Sequence, residues 1–227
     1  WLKKGRINWL WLRPFCAARP RRSRLPLLPR RHRSYRHRDC PVRTLWLALL
    51  WTWHHWDVAL SHLLRRKRPP RRAAALLAGL GAHLGDSWLW AVATGLLWRW
   101  WRVSARRPLR PVWGWVLSLA GGAALTLLIK RRVRRVRPGE DRLLHGPGAD
   151  RYSFPSGHAV RWGVITAWIS RFVPGGGLLA WPLALWTGWS RVYLVIHYVG
   201  DIAAGYLAGA LLGRLMRRLL GETGSGQ

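Results

Sequence analysis

Three stretches of this 227-residue chain, far apart in sequence, carry residue types that together suit phosphoryl chemistry. Lys130 stands seven residues before Arg137, which Pro138 follows. Pro155, Ser156, Gly157 and His158 are consecutive. Ser190 and Arg191 precede His197, and Asp201 lies four residues further on. Three cations can hold the oxygens of a phosphoryl group, one imidazole can attack it, and a second can protonate the oxygen that departs.

Each stretch also has a plainer reading. Lys130 and Arg137 share one face if their helix runs two turns and stops at Pro138. Yet Arg131, Arg132, Arg134 and Arg135 crowd the same region, which reads equally as a basic flank of an apolar segment. Ser156, Gly157 and His158 open a helix, where backbone N–H groups bind anions and glycine allows close approach. The same residues make an ordinary helix-start turn. His197 and Asp201 share a helical face, so the carboxylate can orient one imidazole nitrogen and leave the other as a nucleophile. The alternative is a buried pair that joins helices, although a carboxylate within an apolar segment is costly enough to point to function.

The elements that must position these residues are helices. Six apolar segments run over about 44–64, 73–98, 112–129, 158–173, 176–190 and 193–216. A helix that crosses a bilayer needs about 17–25 residues. The expected fold is therefore all-α, a bundle of six transmembrane helices that occupies residues 44–216. With six spans, all three stretches fall on one face of the membrane. Pro174, Gly175, Gly176 and Gly177 mark a tight turn between the fourth and fifth segments. Gly205, Gly209 and Gly213 form a small-residue stripe that lets a neighbouring helix approach closely.

The net charge is +31, with 39 Lys and Arg against 8 Asp and Glu. Such a balance suggests either nucleic acid or an anionic membrane surface. The basic residues mostly sit in runs between apolar segments, which favours the membrane and argues against nucleic acid. Residues 1–43, rich in Arg and Pro, are expected to be disordered or to lie on the membrane surface. Residues 217–227 are expected to form a disordered tail. Cys16 and Cys40 both lie in the basic extension and lack metal-ligand spacing.

The spacing Lys130-x6-Arg137-Pro138, then Pro155-Ser156-Gly157-His158, then Ser190-Arg191-x5-His197-x3-Asp201 resembles the three-part signature of the type 2 phosphatidic acid phosphatase family. Its superfamily also holds vanadium haloperoxidases and bacterial acid phosphatases. The resemblance covers about residues 44–216 and implies the helical fold of that superfamily. It further implies that His197 forms a phosphohistidine, that Asp201 orients it, and that His158 is the general acid. Lys130, Arg137 and Arg191, with Ser156 and the Gly157 N–H, would hold the phosphoryl oxygens. It implies no metal and no other cofactor.

Other polar residues lie in the first two segments: His54, His55, Asp57 and His62, then His83 and Asp86. His55 with His62, and His83 with Asp86, can share faces. They suit hydrogen bonds between helices better than a metal or proton site. His145 is placed to meet a substrate headgroup, but nothing singles it out.

On the face that carries the three stretches there are 15 basic residues, against 23 on the other face. Positive residues favour the cytoplasm, so the termini are expected inside and the site outside, in the inner or plasma membrane. The leading expectation is a membrane lipid phosphatase acting on a polyprenyl diphosphate, phosphatidylglycerophosphate, phosphatidate or lipid A phosphate. Its partners would be that substrate and the membrane lipids, with no obligate protein partner. The competing expectations are a lipid phosphotransferase that uses the same site and a non-catalytic structural membrane protein.

Overall fold

Runs of Leu, Ala and Trp, punctuated by Pro and Gly, fold as helices in a computed structural model that describes residues 41–65, 72–103, 108–139 and 148–221. The basic extension over residues 1–40, with both cysteines, lies outside the described residues, as do His145 and residues 222–227. Seven α-helices form, and no strand occurs among the described residues: α1 (Pro41–Leu64), α2 (Arg72–His83), α3 (Ser87–Val103), α4 (Arg110–Val133), α5 (Gly157–Phe172), α6 (Gly176–Tyr193) and α7 (Val199–Met216). A 3₁₀ turn, Gly148–Arg151, precedes α5.

The architecture is all-α, as expected, but the six-helix count is corrected. Segment 73–98 is two helices, α2 and α3, broken at Leu84, Gly85 and Asp86. The break follows from local chemistry. The Asp86 carbonyl accepts from the Trp90 N–H at 3.4 Å, so Asp86 stands where the N-cap of α3 belongs. Gly85 passes the His158 ring so closely that a β-carbon there would lie 2.9 Å from His158 Cβ.

Two further boundaries differ from expectation. α4 does not continue to Arg137. It ends at Val133, and Arg134 takes a left-handed conformation with φ 50° while its N–H bonds the Lys130 carbonyl. Residues 134–139 then run without helix. At the other end the chain turns once more, over Arg217–Gly221, and Arg110 Nη2 donates to the Leu219 carbonyl at 3.3 Å. The folded unit thus extends past residue 216. The turn before α6 is as expected, with Gly175 at φ 72°.

α5 lies at the centre, packed against α4, α6 and α7. Its contact with α7 is the closest, and the glycine stripe explains it. A β-carbon at Gly205 would sit 2.7 Å from Ala159 Cβ, and one at Gly213 would sit 2.9 Å from Ala167 Cβ. Gly163 reciprocates from α5, where a β-carbon would meet the Tyr206 carbonyl at 2.5 Å. Backbones so near each other fix the start of α5 against the start of α7. Away from the site, Trp101, Trp115, Trp168 and Phe172 form a buried aromatic core. Its indole N–H groups find partners, as Trp168 does in Ser118 Oγ at 3.0 Å and Trp115 in Thr94 Oγ1 at 2.9 Å.

α1 closes one end of the bundle. The first N–H groups of a helix lack internal partners. In α7 they are met from α1: Val199 N–H donates to Ser61 Oγ at 2.9 Å and Gly200 N–H to Asp57 Oδ1 at 2.6 Å. Large apolar side chains such as Trp56, Leu63, Leu76, Trp88, Leu178 and Leu207 are exposed on the outer surface. Arg110–Val133 and Val199–Leu220 are long and apolar enough to cross a membrane.

Candidate active site

His197 is delivered by the turn that ends α6. Ile196 N–H bonds the Arg191 carbonyl at 3.1 Å and Val195 N–H bonds the Val192 carbonyl at 2.9 Å, the paired pattern of a Schellman cap. The left-handed residue of that cap is Val195, at φ 61°. His197 N–H also bonds the Arg191 carbonyl, at 3.3 Å, so the backbone of Arg191 sets the position of the imidazole. The ring is buried at 2% exposure. Burial first, then the cations Arg137 and Arg191, push its pKa well below the usual histidine value, which keeps the imidazole neutral.

The two ring nitrogens face different groups. Nε2 lies 3.4 Å from Arg137 Nη1. Nδ1 lies 3.5 Å from Asp201 Oδ2, longer than a good hydrogen bond. Asp201 has stronger ties elsewhere: Oδ2 accepts from Tyr198 N–H at 2.9 Å and Oδ1 from Arg135 Nη1 at 2.8 Å. Arg135 also pairs with Asp57 at 2.6 Å and lies 4.0 Å over the Tyr198 ring. An Asp57–Arg135–Asp201 chain therefore backs the His197 pair.

Lys130 and Arg137 arrive from non-equivalent positions. Lys130 is in the last turn of α4, 1% exposed, with Nζ on Asp150 Oδ1 at 2.8 Å and the Tyr152 carbonyl at 2.7 Å. Arg137 reaches in from the non-helical segment after α4, with Nη2 on the Asp150 carbonyl at 2.7 Å. Asp150 is half-exposed. Burial alone would raise its carboxyl, but Lys130 and then Arg137 outweigh that and hold it below the usual carboxylate range. Lys130 Nζ is thus already paired with a carboxylate.

Ser156 stands as the N-cap of α5, fully buried, with its N–H on the Asp201 carbonyl at 3.1 Å. Its Oγ has no partner among the described residues, and neither does the buried Nε of Arg191. Buried donors left in this state call for an explanation, and an anionic ligand supplies one. Gly157 begins α5, where a β-carbon would only touch Thr126 at 3.6 Å, so the protein itself leaves room there. Ser190 turns away: its Oγ donates to the Trp186 carbonyl at 2.8 Å.

His158 sits on the first turn of α5 with Nε2 3.1 Å from Asp86 Oδ1. Asp86 Oδ2 lies 2.8 Å from His83 Nδ1. Asp86, Arg135, Asp57 and Asp150 are neighbours of the site that the motif spacing does not point to. The three carboxylates among them share one signal, scarcity, because the chain has only 8 acidic residues and each one inside an apolar or basic stretch needs a reason. Arg135 gave no such signal amid its arginine neighbours. His54 and Asp57 meet Arg135 rather than each other, His54 Nδ1 lying 3.4 Å from Nη2. Among the described residues no three of His, Cys, Asp and Glu converge as a metal's ligands would.

The site's three stretches all lie within, or at the edge of, a region with known relatives. The chain is 33% identical over 108 residues to decaprenylphosphoryl-5-phosphoribose phosphatase of Mycobacterium tuberculosis, covering 45% of this chain and 59% of that one. It is 32% identical over 99 residues to phosphatidylglycerophosphatase B of Bacillus subtilis, covering 39% of this chain and 47% of that one. The chain thus spans about half the length of the curated relatives it matches. Its fold is similar to that of a transmembrane PAP2-type phosphatidylglycerolphosphate phosphatase from Bacillus subtilis, with a TM-score of 0.66 at 22% identity over 78% of this chain and 90% of that one. It is also similar to LpxE of Aquifex aeolicus, with a TM-score of 0.56 at 22% identity over 71% of this chain and 94% of that one. Residues 111–224 match the model of the PAP2 superfamily, and the chain belongs to that superfamily.

Proposed function

We propose that the chain is an integral membrane phosphatase that hydrolyses a phosphomonoester or diphosphate of a lipid through a phosphohistidine on His197. One observation carries this reading. Three sequence-distant stretches converge on a buried, neutral imidazole whose Nε2 lies 3.4 Å from a guanidinium, beside a buried hydroxyl and guanidinium nitrogen with no partner among the described residues. These donors stand among cations beside an imidazole, where an anionic ligand would satisfy them.

Lys130, Arg137 and Arg191, with Ser156 Oγ and the Gly157 N–H, hold the phosphoryl oxygens and offset the charge that develops on them. Nε2 of His197 attacks phosphorus while Asp201 faces Nδ1. His158 protonates the lipid oxygen as its bond to phosphorus breaks. Water then takes the phosphoryl group from His197, with His158 as base. The fixed cations supply the electrostatic stabilisation, and no metal is required.

The exposed apolar surface favours a substrate met in a bilayer. The names of the relatives, a decaprenylphosphoryl sugar phosphatase and a phosphatidylglycerophosphatase, point to lipid phosphates as the substrate class. The charge distribution favours a site on the outer face with the termini in the cytoplasm.

The test is release of inorganic phosphate by detergent-purified protein in the presence of EDTA. The panel holds polyprenyl diphosphate, phosphatidylglycerophosphate, phosphatidate and a lipid A phosphate. The expected result is release from at least one substrate, unaffected by EDTA and lost in His197→Ala. Release that persists in the variant, or that needs a divalent ion, would overturn the mechanism. Transfer of phosphate to an added lipid alcohol with no free phosphate would make the chain a phosphotransferase instead.

A further inference from the structure

Asp86, which pairs with His158, lies outside the three motif stretches. We propose that Asp86 is a positioning residue for the leaving-group acid: its carboxylate, clamped by His83, fixes the tautomer and aim of His158. The inference rests on the phosphatase reading, because His158 needs a leaving oxygen to protonate.

Three features of the structure support it. First, the carboxylate is held at both oxygens, Oδ1 by His158 Nε2 at 3.1 Å and Oδ2 by His83 Nδ1 at 2.8 Å, so it cannot turn away from either ring. Second, Asp86 reaches His158 only because the helix breaks at residues 84–86, and Gly85 lets the backbone pass against the imidazole. Third, Arg161, one turn along α5 from His158, fastens both flanks of Asp86. Its Nη1 donates to the Gly85 carbonyl and its Nη2 to Ser87 Oγ at 2.6 Å. A charged residue in an apolar helix is thereby explained, since α5 grips the break with the same face that carries the acid.

The consequence is chemical. With Nε2–H held on Asp86, Nδ1 is the nitrogen left to meet the substrate. In the protonated ring both nitrogens donate, Nε2 to Asp86 and Nδ1 to the leaving oxygen. When the P–O bond breaks, its electron pair stays on the lipid oxygen, which takes the Nδ1 proton to become an alcohol. The N–H pair returns to Nδ1, and neutral His158 keeps its Nε2–H on Asp86. In the second half, water gives a proton to Nδ1 as its oxygen bonds phosphorus and the P–N bond to His197 breaks. The proton count closes, and Asp86 stays ionised throughout.

A poor leaving group needs this acid, whereas a nitrophenolate leaves without it. The experiment measures kcat and KM in detergent for dodecyl phosphate and for a dodecyl-substituted nitrophenyl phosphate. The proteins are wild type, Asp86→Asn, Asp86→Glu, His83→Gln, His158→Ala, the Asp86→Asn/His158→Ala double variant and His197→Ala. Asp86→Asn is expected to lose about 100-fold in kcat on the alkyl substrate and less than about 5-fold on the aryl one, with KM near wild type. Asp86→Glu should show the same split, and His83→Gln a weaker one. The double variant should lose no more than His158→Ala alone. Equal losses on both substrates in folded Asp86→Asn or Asp86→Glu, or additive losses in the double variant, would overturn the inference. Activity that survives in His197→Ala, or none from wild type on either substrate, would instead sink the phosphatase reading.

Discussion

Two carboxylate–imidazole pairs stand in this molecule, and they are built differently. Asp201 and His197 are almost wholly buried, 3.5 Å apart, with the carboxylate tied to Arg135 and a backbone N–H. Asp86 and His158 are closer, 3.1 Å apart, partly open, and linked to His83, whose side chain is 75% exposed. The first arrangement holds an imidazole neutral among cations, which suits a nucleophile. The second holds an imidazole against a carboxylate, which suits the acid–base role proposed for His158. In the proposed mechanism the same two residue types take different duties.

The largest effects should come from breaking the buried pair. His197→Ala should lower kcat by at least about 10³-fold on alkyl and aryl substrates alike, since no leaving group replaces a lost nucleophile. Phosphate release from both substrates checks this. A loss confined to the alkyl substrate would exchange the roles of the two histidines.

Next is the chain that backs Asp201. Arg135→Met leaves Asp57 and Asp201 as buried, uncompensated charges, which should cost about 3–5 kcal/mol of stability. Denaturant unfolding in detergent measures it. Asp86 has no such buried cation behind it, so Asp86→Asn should cost far less in the same assay.

The third prediction concerns pH. Arg137 is, after burial, the main cause of the low pKa of His197. Removing that positive charge makes the imidazolium less unfavourable, so the His197 pKa rises and the neutral form is lost at a higher pH. The acid limb of kcat/KM should move up in Arg137→Gln, toward the usual histidine value, and stay in place in Arg137→Lys. A pH–rate profile of the residual activity reads the difference.

Much of this site was legible in the sequence because its chemistry lies in fixed local spacings. Ser156-Gly157-His158 opens α5 as its spacing implied. The glycine stripe of α7 likewise announced its contact with α5. His197 and Asp201, expected on one helical face, do not share a helix: His197 lies in the turn before Tyr198, the N-cap of α7, and Asp201 alone is helical. The break at Leu84, Gly85 and Asp86 was not read from the sequence, because apolar runs continue on both sides of it and the ring that Gly85 passes, His158, comes from a distant part of the chain. Arg137 was placed on a helix by a count of residues, whereas α4 stops when Arg134 turns left-handed. Arg135 was hidden among arginines, and only the carboxylates it meets, Asp57 and Asp201, distinguish it from them.

Asp150 offers a smaller effect. Its carboxylate occupies Lys130 Nζ at 2.8 Å, where the proposed reaction needs a phosphoryl oxygen. An incoming phosphate must displace or share that contact against like-charge repulsion. Asp150→Asn should lower KM several-fold and leave kcat nearly unchanged, and inhibition by inorganic phosphate should tighten in parallel. A rise in KM would mean that Asp150 aims Lys130 rather than competing for it.

The smallest prediction isolates the turn that presents His197. A β-branched residue in the left-handed region is unfavourable by about 1–2 kcal/mol, yet Val195 stands there at φ 61°. Glycine would relieve that strain but gains freedom in the unfolded chain worth roughly 0.5–1 kcal/mol. Val195→Gly should therefore raise stability by no more than about 1.5 kcal/mol, the largest difference between these two effects. Activity should hold, because the cap bonds from Ile196 and Val195 to the α6 carbonyls do not involve the side chain. The opposite pair shows the contrast: at Gly85 the chain already has glycine where a ring presses on it, and any side chain there meets His158 directly. Gly85→Ala should thus damage the His158 pair more than Val195→Gly disturbs the His197 pair, although both changes are a few atoms in a turn. Equal effects of the two would mean that the tight passage at Gly85 does not set the position of His158.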